Sequence, residues 1–142
     1  MTTEGLAIRR CRHEDAQAVL SLWVEARSEH ASTADRLDDV ERLIGDSPAA
    51  LLVAEHGEEI VGALIAGWDG WRGNMYRLAV REGHRRRGIG IALTRAGEEY
   101  LYGCGVRRVT ALVAFGDDDA GAFWESAGYP RDEEIGRRVR NL

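Results

Sequence analysis

A basic, glycine-bearing loop between an apolar strand and a helix is the part of the sequence best suited to chemistry. It follows Leu78-Ala79-Val80 and runs through Arg85, Arg86, Arg87, Gly88, Ile89, Gly90 and Ile91. Glycines let backbone N–H groups converge, and here those groups meet the positive N-terminus of the next helix. Arginine adds a fixed cation whose forked donors match phosphate oxygens. The pattern predicts a pyrophosphate-binding site.

Two common nucleotide-binding patterns do not fit this loop. The glycine spacing differs from the dinucleotide fingerprint, and the preceding chain predicts an antiparallel meander. A Walker A loop needs Lys followed by Ser or Thr, whereas all 19 basic residues of this chain are arginine. The lack of lysine also excludes lysine Schiff-base chemistry.

Hydrophobic periodicity predicts the elements that position the loop. The expected order is β-α-α-β-β-β-α-β-α-β, an α/β fold with a mixed sheet in which a central strand–phosphate-loop–helix unit follows an antiparallel meander. Strands are predicted at 6–10, 51–54, 60–66, 74–80 and 109–115, with a final strand at about 135–139. Helices are predicted from residue 13, over 37–44, from residue 91 to 101, and over 120–127.

A second block, residues 117–129, reads Asp-Asp-Asp-Ala-Gly-Ala-Phe-Trp-Glu-Ser-Ala-Gly-Tyr. Together the two blocks resemble the GNAT superfamily of acyl-CoA-dependent N-acetyltransferases. The loop matches its Arg/Gln-x-x-Gly-x-Gly/Ala signature, and the second block is similar to its Asn-x-x-Ala-x-x-Φ-Tyr-x-x-x-Gly-Phe block. The turn at 67–73 is similar to one in small, single-domain bacterial members. The resemblance implies the GNAT fold and acetyl-CoA as co-substrate.

The resemblance also implies residue roles in cofactor binding. The backbone of Leu78, Ala79 and Val80 is expected to pair with the pantetheine arm as an added strand would. The amides of Arg86, Arg87, Gly88, Ile89, Gly90 and Ile91 are expected to hold the pyrophosphate, with Arg85 at the signature's first position. Asp117 and Trp124 of the second block complete the expected cofactor contacts.

The second block departs from the family pattern at two positions. Trp124 stands where the family commonly has a tyrosine that protonates the leaving thiolate, and an indole N–H is not an acid near neutral pH. Simple packing is the alternative role for Trp124. Asp117 replaces the usual asparagine. Slower chemistry is therefore expected, because losing a general acid typically costs about 10²–10⁴-fold.

The general base departs from the pattern as well. Tyr76 lies nine residues before Arg85, where many members have a glutamate. It is expected either to order a water that relays the amine proton or only to line the cleft. Leu112 replaces the glutamate of the subgroup that acetylates ribosomal-protein N-termini, which counts against that subgroup. Residues 28–39 correspond to the acceptor-lining loop, where His30, Asp35, Asp38 and Asp39 could attract a cationic amine.

Length and composition bound the remaining possibilities. The 142 residues suit a single domain spanning 1–142, and a net charge of −5 argues against a general nucleic-acid binder. Cys11 and Cys104, the only cysteines, lie too far apart in sequence to suggest a metal site. No apolar run approaches the ~20 residues of a membrane helix, and the N-terminus lacks a signal-peptide pattern, so a cytoplasmic setting is expected.

The leading hypothesis is an N-acetyltransferase that moves an acetyl group from acetyl-CoA to a primary amine by direct attack. The alternative is an acyl-CoA-binding sensor or partner module with little catalysis, favoured by the missing tyrosine and glutamate. RNA binding by the arginine run is a third idea, which the acidic remainder of the chain disfavours. Exposed Trp68 or Trp71 would be consistent with a homodimer.

Overall fold

The computed structural model describes residues 5–26, 34–45 and 48–142. These residues form nine regular elements, joined by short 3₁₀ turns at His13–Asp15 and Glu82–His84. The elements are β1 (Leu6–Arg10), α1 (Ala16–Glu25), α2 (Leu37–Gly45), β2 (Ala50–His56), β3 (Glu59–Trp68), β4 (Gly73–Val80), α3 (Ile89–Gly103), β5 (Val109–Ala111) and α4 (Asp118–Ser126). The predicted order is confirmed as far as α4.

The strands form one five-stranded sheet in the order β1-β2-β3-β4-β5. Pairing is antiparallel from β1 to β4, and β5 pairs with β4 in parallel. A parallel neighbour needs a crossover connection, and α3 supplies it. The predicted mixed sheet, with a meander followed by a strand–loop–helix–strand unit, is confirmed.

Apolar side chains cover both faces of the sheet, so the molecule has two core clusters. One cluster joins the sheet to α3 and α4 through Leu64, Met75, Leu93, Leu101 and Trp124, among others. The other joins it to α1 and α2 through residues that include Val19, Leu22, Val40, Val53 and Ala63. Each fully buried large aliphatic side chain contributes about 1.5–3 kcal/mol.

Glycine brings α3 unusually close to the sheet. A Cβ added at Gly97 would lie 2.7 Å from the Met75 Cε atom, and one added at Gly62 would lie 3.0 Å from Leu93 Cδ1. Both contacts are tighter than ordinary van der Waals distance. Glycine at these two positions therefore lets α3 pack directly against β3 and β4.

The predictions for the last two strands are wrong, because one strand is shorter than predicted and the other does not form. The strand predicted over 109–115 covers only Val109–Ala111, because its three pairs with β4 end at Met75. Leu112 and Phe115 are exposed beyond it. The final strand predicted at about 135–139 does not form; Ile135 and Val139 are exposed. A strand needs a paired neighbour, and β5 offers only three residues of edge.

Candidate functional site

The open edge of β4 is the first component of the site. β5 pairs with Gly73, Asn74 and Met75 only, so β4 residues 76–80 have no strand on that side among the residues described. Tyr76, Leu78, Ala79 and Val80 all lie on this stretch. An exposed strand edge offers its N–H and C=O groups to any extended ligand.

The second component is the basic loop, residues 81–88, which connects β4 to α3. Arg86 has φ of 63° and Gly88 has φ of 79°, both in the left-handed region. Such conformations gather successive N–H groups into a concave array that binds anions. Within the described part of the chain, the N–H groups of residues 86–91 have no acceptor; the first helical bond runs from Ala92 N–H to Gly88 O at 3.0 Å. Unpaired donors therefore cluster at the start of α3, as the sequence predicted.

The arginines of this loop differ in their surroundings. Arg85 donates from Nε to the Val80 carbonyl at 3.1 Å, which ties the loop to the end of β4. Arg86 and Arg87 are exposed, and neither forms an ion pair with any residue of the described ranges. Both side chains are consequently available to a ligand anion.

Ile89 and Gly90 can face such a ligand only through their backbone. The Ile89 side chain is buried in the core. A Cβ added at Gly90 would lie 2.9 Å from Phe123 Cε1. Close packing of α3 against α4 therefore accounts for glycine at position 90.

The second block supports α4 and the core. The Asp117 carboxylate accepts the Ala120 N–H at 3.0 Å and so caps α4. Trp124 is 7% exposed, and its ring meets those of Phe123 and Tyr129 edge-on at 5.3 and 5.0 Å. These contacts support the packing role for Trp124. Contacts of Asp117 and Trp124 with a cofactor stay predictions.

Tyr76 borders a cavity of about 330 Å³ beside the open edge. Gly67 makes room for its ring, since a Cβ there would lie 2.7 Å from Tyr76 Cε2. Burial, and then the charge of Asp69, raise the pKa of the Tyr76 phenol. The hydroxyl therefore stays protonated at neutral pH and can orient a water but not act as a base. The cavity is lined by Leu43, Ala49, Ile65, Gly67, Trp68, Asp69, Asn74 and Tyr76.

A second cavity of about 270 Å³ shares Leu43 and Ile65 with the first, so the two form one cleft between α2 and the sheet. Its acidic side chains are already paired. Asp35 contacts Arg77 at 2.8 Å, and Asp39 contacts Arg42 at 3.2 Å. Asp38 is exposed on α2. His30 and the rest of residues 27–33 lie outside the described ranges.

Sequence reasoning missed a bulge in β4 next to Tyr76. Arg77 and Leu78 together lie opposite Leu64, and Arg77 adopts φ of 53°. Its carbonyl accepts the indole N–H of Trp23 at 2.9 Å. The sequence gives no signal for this bulge. A left-handed position in a strand ordinarily favours glycine or asparagine, whereas the residue here is arginine.

The described residues contain no group of three or more His, Cys, Asp or Glu side chains arranged to hold a metal ion. None of the helices in the same ranges has the length and apolar character needed to cross a membrane.

Residues 16–129 match the acetyltransferase (GNAT) family. An acetyltransferase of Sodalis glossinidius is 32% identical over 130 residues, which cover 92% of this chain and 91% of the relative.

Solved structures show the same fold. An aminoglycoside acetyltransferase from an uncultured soil metagenomic sample, in complex with sisomicin, has a TM-score of 0.81 at 21% identity, covering 97% of each chain. AAC(6')-Iy, in complex with the bisubstrate analogue CoA-S-monomethyl-acetylneamine, has a TM-score of 0.79 at 16% identity, covering 96% of this chain and 99% of that one.

Proposed function

This chain belongs to the GNAT family of acetyltransferases, and from that premise we propose that it transfers the acetyl group of acetyl-CoA to a primary amine. The lone pair of the neutral amine attacks the thioester carbonyl carbon and forms a carbon–nitrogen bond. The carbon–sulfur bond then breaks with its electron pair on sulfur, the amine's surplus proton leaves to water, and water protonates the departing CoA thiolate. The unpaired amide cluster beside the open strand edge carries this proposal.

The start of α3 suits the pyrophosphate of CoA. The N–H groups of residues 86–91 lack acceptors within the described residues, and the helix N-terminus adds about half a positive charge. Arg86 and Arg87 are exposed beside them. Several donors acting together on one anion favour a diphosphate over a single small ion.

The open edge of β4 suits the pantetheine arm. That arm contains two amides, and residues 76–80 offer backbone groups that no described strand uses. An arm paired with this edge would lead from the amide cluster toward Tyr76. The thioester would then lie beside the cleft between α2 and the sheet.

The cleft suits the acceptor amine. The cavity that Tyr76 borders is lined mainly by apolar and aromatic residues, and Asp69 is its charged side chain. A carboxylate at the rim attracts an ammonium group, which must lose a proton before it attacks. Tyr76 is proposed to orient the water that takes that proton. The aminoglycoside acetyltransferase that shares this fold was solved in complex with sisomicin, which is a precedent for an amine acceptor in this fold.

The alternative function, an acyl-CoA-binding module, rests on Trp124 and Tyr76. Trp124 packs in the core and cannot donate a proton to a thiolate, and the raised pKa of Tyr76 makes it a poor base. Without a general acid or base, any acetyl transfer would rely on proximity and on CoA thiolate being a good leaving group, so it would be slow.

Calorimetric titration with acetyl-CoA tests both functions at the cofactor level. We expect one-to-one binding in the micromolar range that is lost in Gly88→Glu, because glutamate brings bulk and negative charge to a left-handed position with φ of 79°. Gly83→Glu is the matched control, since it adds the same charge to the loop where an added Cβ meets nothing within 4 Å. No binding to the wild type at millimolar acetyl-CoA would overturn both functions.

Release of CoA thiol in the presence of primary amines separates the enzyme from the binding module. The enzyme gives time-dependent release that rises with pH as more amine becomes neutral. A chain that binds acetyl-CoA but releases no thiol with any amine in a diverse panel, including aminoglycosides and polyamines, is the binding module.

A further inference from the structure

Arg77 has a backbone conformation that its residue type does not explain. Its φ of 53° lies in the left-handed region, and Arg77 and Arg86 are the non-glycine residues with positive φ in the described ranges. Such a conformation persists only where surrounding contacts hold it, and these positions cluster at functional sites.

Two contacts from the α1–α2 side hold Arg77. The indole Nε1–H of Trp23 donates to the Arg77 carbonyl at 2.9 Å, and the guanidinium contacts Asp35 Oδ1 at 2.8 Å. Trp23 is 6% exposed and packs in the core cluster that α1 and α2 share. The donor is therefore itself fixed in place.

The Trp23 bond determines the direction of another group in β4. The Arg77 carbonyl and the Leu78 N–H belong to one peptide unit, which is trans and planar, so the two groups point in opposite directions. An indole that holds the carbonyl toward α1 turns the Leu78 N–H away from α1. Because β4 has two residues here opposite Leu64, the regular ladder with β3 is interrupted at this unit.

We propose that Trp23 is a positioning residue that aims the Leu78 N–H at the acyl oxygen of the thioester. This inference rests on the proposed function. A donor held in place before the reaction stabilises the oxygen as it gains negative charge, since nothing has to reorganise. Trp23 acts on the thioester through the Arg77–Leu78 peptide, by way of the hydrogen bond from its indole to the Arg77 carbonyl.

Isotope-edited infrared spectroscopy of bound [1-13C]acetyl-CoA tests this role directly. Hydrogen bonding lowers the stretching frequency of a carbonyl, so the wild type should show a band below that of free acetyl-CoA. Trp23→Phe keeps a ring and removes the donor; its band should return toward the free value. Trp71→Phe, which removes an indole N–H from the exposed β3–β4 turn, should keep the wild-type band.

Kinetics provide a second readout where an acceptor is found. Trp23→Phe should lower kcat about 10- to 100-fold while KM for acetyl-CoA changes little, because the pyrophosphate contacts remain. Asp35→Ala removes the other anchor of Arg77 and should move both the band and kcat in the same direction. It carries the test should Trp23→Phe fail to fold.

The outcomes separate the inference from the proposed function. A wild type that does not bind acetyl-CoA overturns the function and leaves no thioester to position. A wild type that binds it with an unshifted carbonyl band, or variants that keep the shifted band, overturn the role of Trp23 while the acetyltransferase remains.

Discussion

At the scale of single residues, Trp124 stands where the family pattern has a tyrosine, and it packs among core side chains. Its ring fills the space between Phe123 and Tyr129 and is nearly inaccessible. Trp124→Ala should lower the free energy of unfolding by about 3–5 kcal/mol, because it removes a large buried ring and leaves a cavity. Guanidinium unfolding followed by far-UV circular dichroism measures the change.

The matched control is Trp71→Ala, in which the same ring is lost from a position 85% exposed. It should change the free energy of unfolding by no more than about 0.5 kcal/mol. Equal effects of the two substitutions would contradict the packing role of Trp124.

Asp117 gives a second prediction at this scale. Its carboxylate caps α4 through the Ala120 N–H, so Asp117→Ala should cost about 0.5–2 kcal/mol of stability. Asp117→Asn should keep most of it, since an amide oxygen also accepts at an N-cap. Thermal unfolding of the three proteins checks the order; an asparagine variant as unstable as the alanine variant would show that charge, and not capping, matters.

Residue type and spacing predict a functional residue only where its role depends on its neighbours in sequence. Arg85, Arg86, Arg87 and Gly88 are predicted as cofactor-binding residues from residue type and spacing, because cations and glycines before a helix have a local physical meaning. The structure places them in the loop before α3, and their contact with a cofactor stays a prediction. The left-handed Arg77 was not found, since contacts from Trp23 and Asp35, 54 and 42 residues away in sequence, impose it. Tyr76 is predicted from sequence either to order a water or to line the cleft, but its raised pKa depends on burial that only the fold creates.

At the scale of elements, the contact between α3 and α4 depends on a missing side chain. Gly90→Ala would bring a Cβ to 2.9 Å from Phe123 Cε1, so the two helices must separate or the ring must move. Stability should fall by about 1–3 kcal/mol, as overpacking typically costs. Denaturant unfolding gives the value.

A double-mutant cycle tests that explanation. Phe123→Ala removes the obstructing ring, so Gly90→Ala should destabilise a Phe123→Ala background much less than it destabilises the wild type. Simple additivity of the two changes would mean that the strain arises elsewhere.

The ion pairs between β1, the turn before α1 and β2 predict a pH dependence. Arg9 donates to both Asp15 oxygens at 2.7 and 3.1 Å and to Glu55 at 2.7 Å. The Arg9 hydrogen bond is the largest cause that lowers the pKa of Asp15. A lowered carboxyl pKa contributes stability above the unfolded-state pKa, and this is lost as pH falls through the folded value.

Asp15→Asn should therefore flatten the stability curve between about pH 5 and pH 2, and it should lower stability at neutral pH. Chemical unfolding at a series of pH values measures both effects. Glu14→Gln is the control, because Glu14 is exposed and its contact with Arg12 is long, at 3.6 Å. An Asp15→Asn curve parallel to the wild type would contradict the assignment.

Elements were predicted from sequence where hydrophobic periodicity and pairing agree. The antiparallel meander and α3 have strong hydrophobic periodicity, and their packing partners lie close in sequence. Their predicted bounds are confirmed within a few residues. The run at 109–115 has the composition of a strand, but only three residues have a partner in β4. Strand length is a property of two segments, and one segment's composition does not determine it.

At the scale of the whole molecule, ligand binding should appear as stability. A ligand that binds only the folded chain stabilises it by about 2.7 kcal/mol at one hundred times its Kd. Saturating acetyl-CoA should therefore raise the melting temperature by about 5–10 °C. Differential scanning fluorimetry shows the shift, and Gly88→Glu should abolish it.

The charge distribution along the chain also supports the proposed cofactor site. Residues 72–108 carry nine arginines against three glutamates, although the chain as a whole has a net charge of −5. The basic segment contains β4, the loop and α3, the elements that form the proposed cofactor site. A positive site on an acidic molecule attracts an anionic ligand locally.

The edge of β4 that no described strand covers has a consequence for the protein's tendency to aggregate. Bare backbone groups are a template for any extended segment, including one from an unfolding neighbour, and natural sheets protect such edges against aggregation. In this chain the protector would be a small molecule. Preparations stripped of CoA should therefore aggregate faster on storage than preparations saturated with it, because bound CoA would cover the unpaired edge of β4.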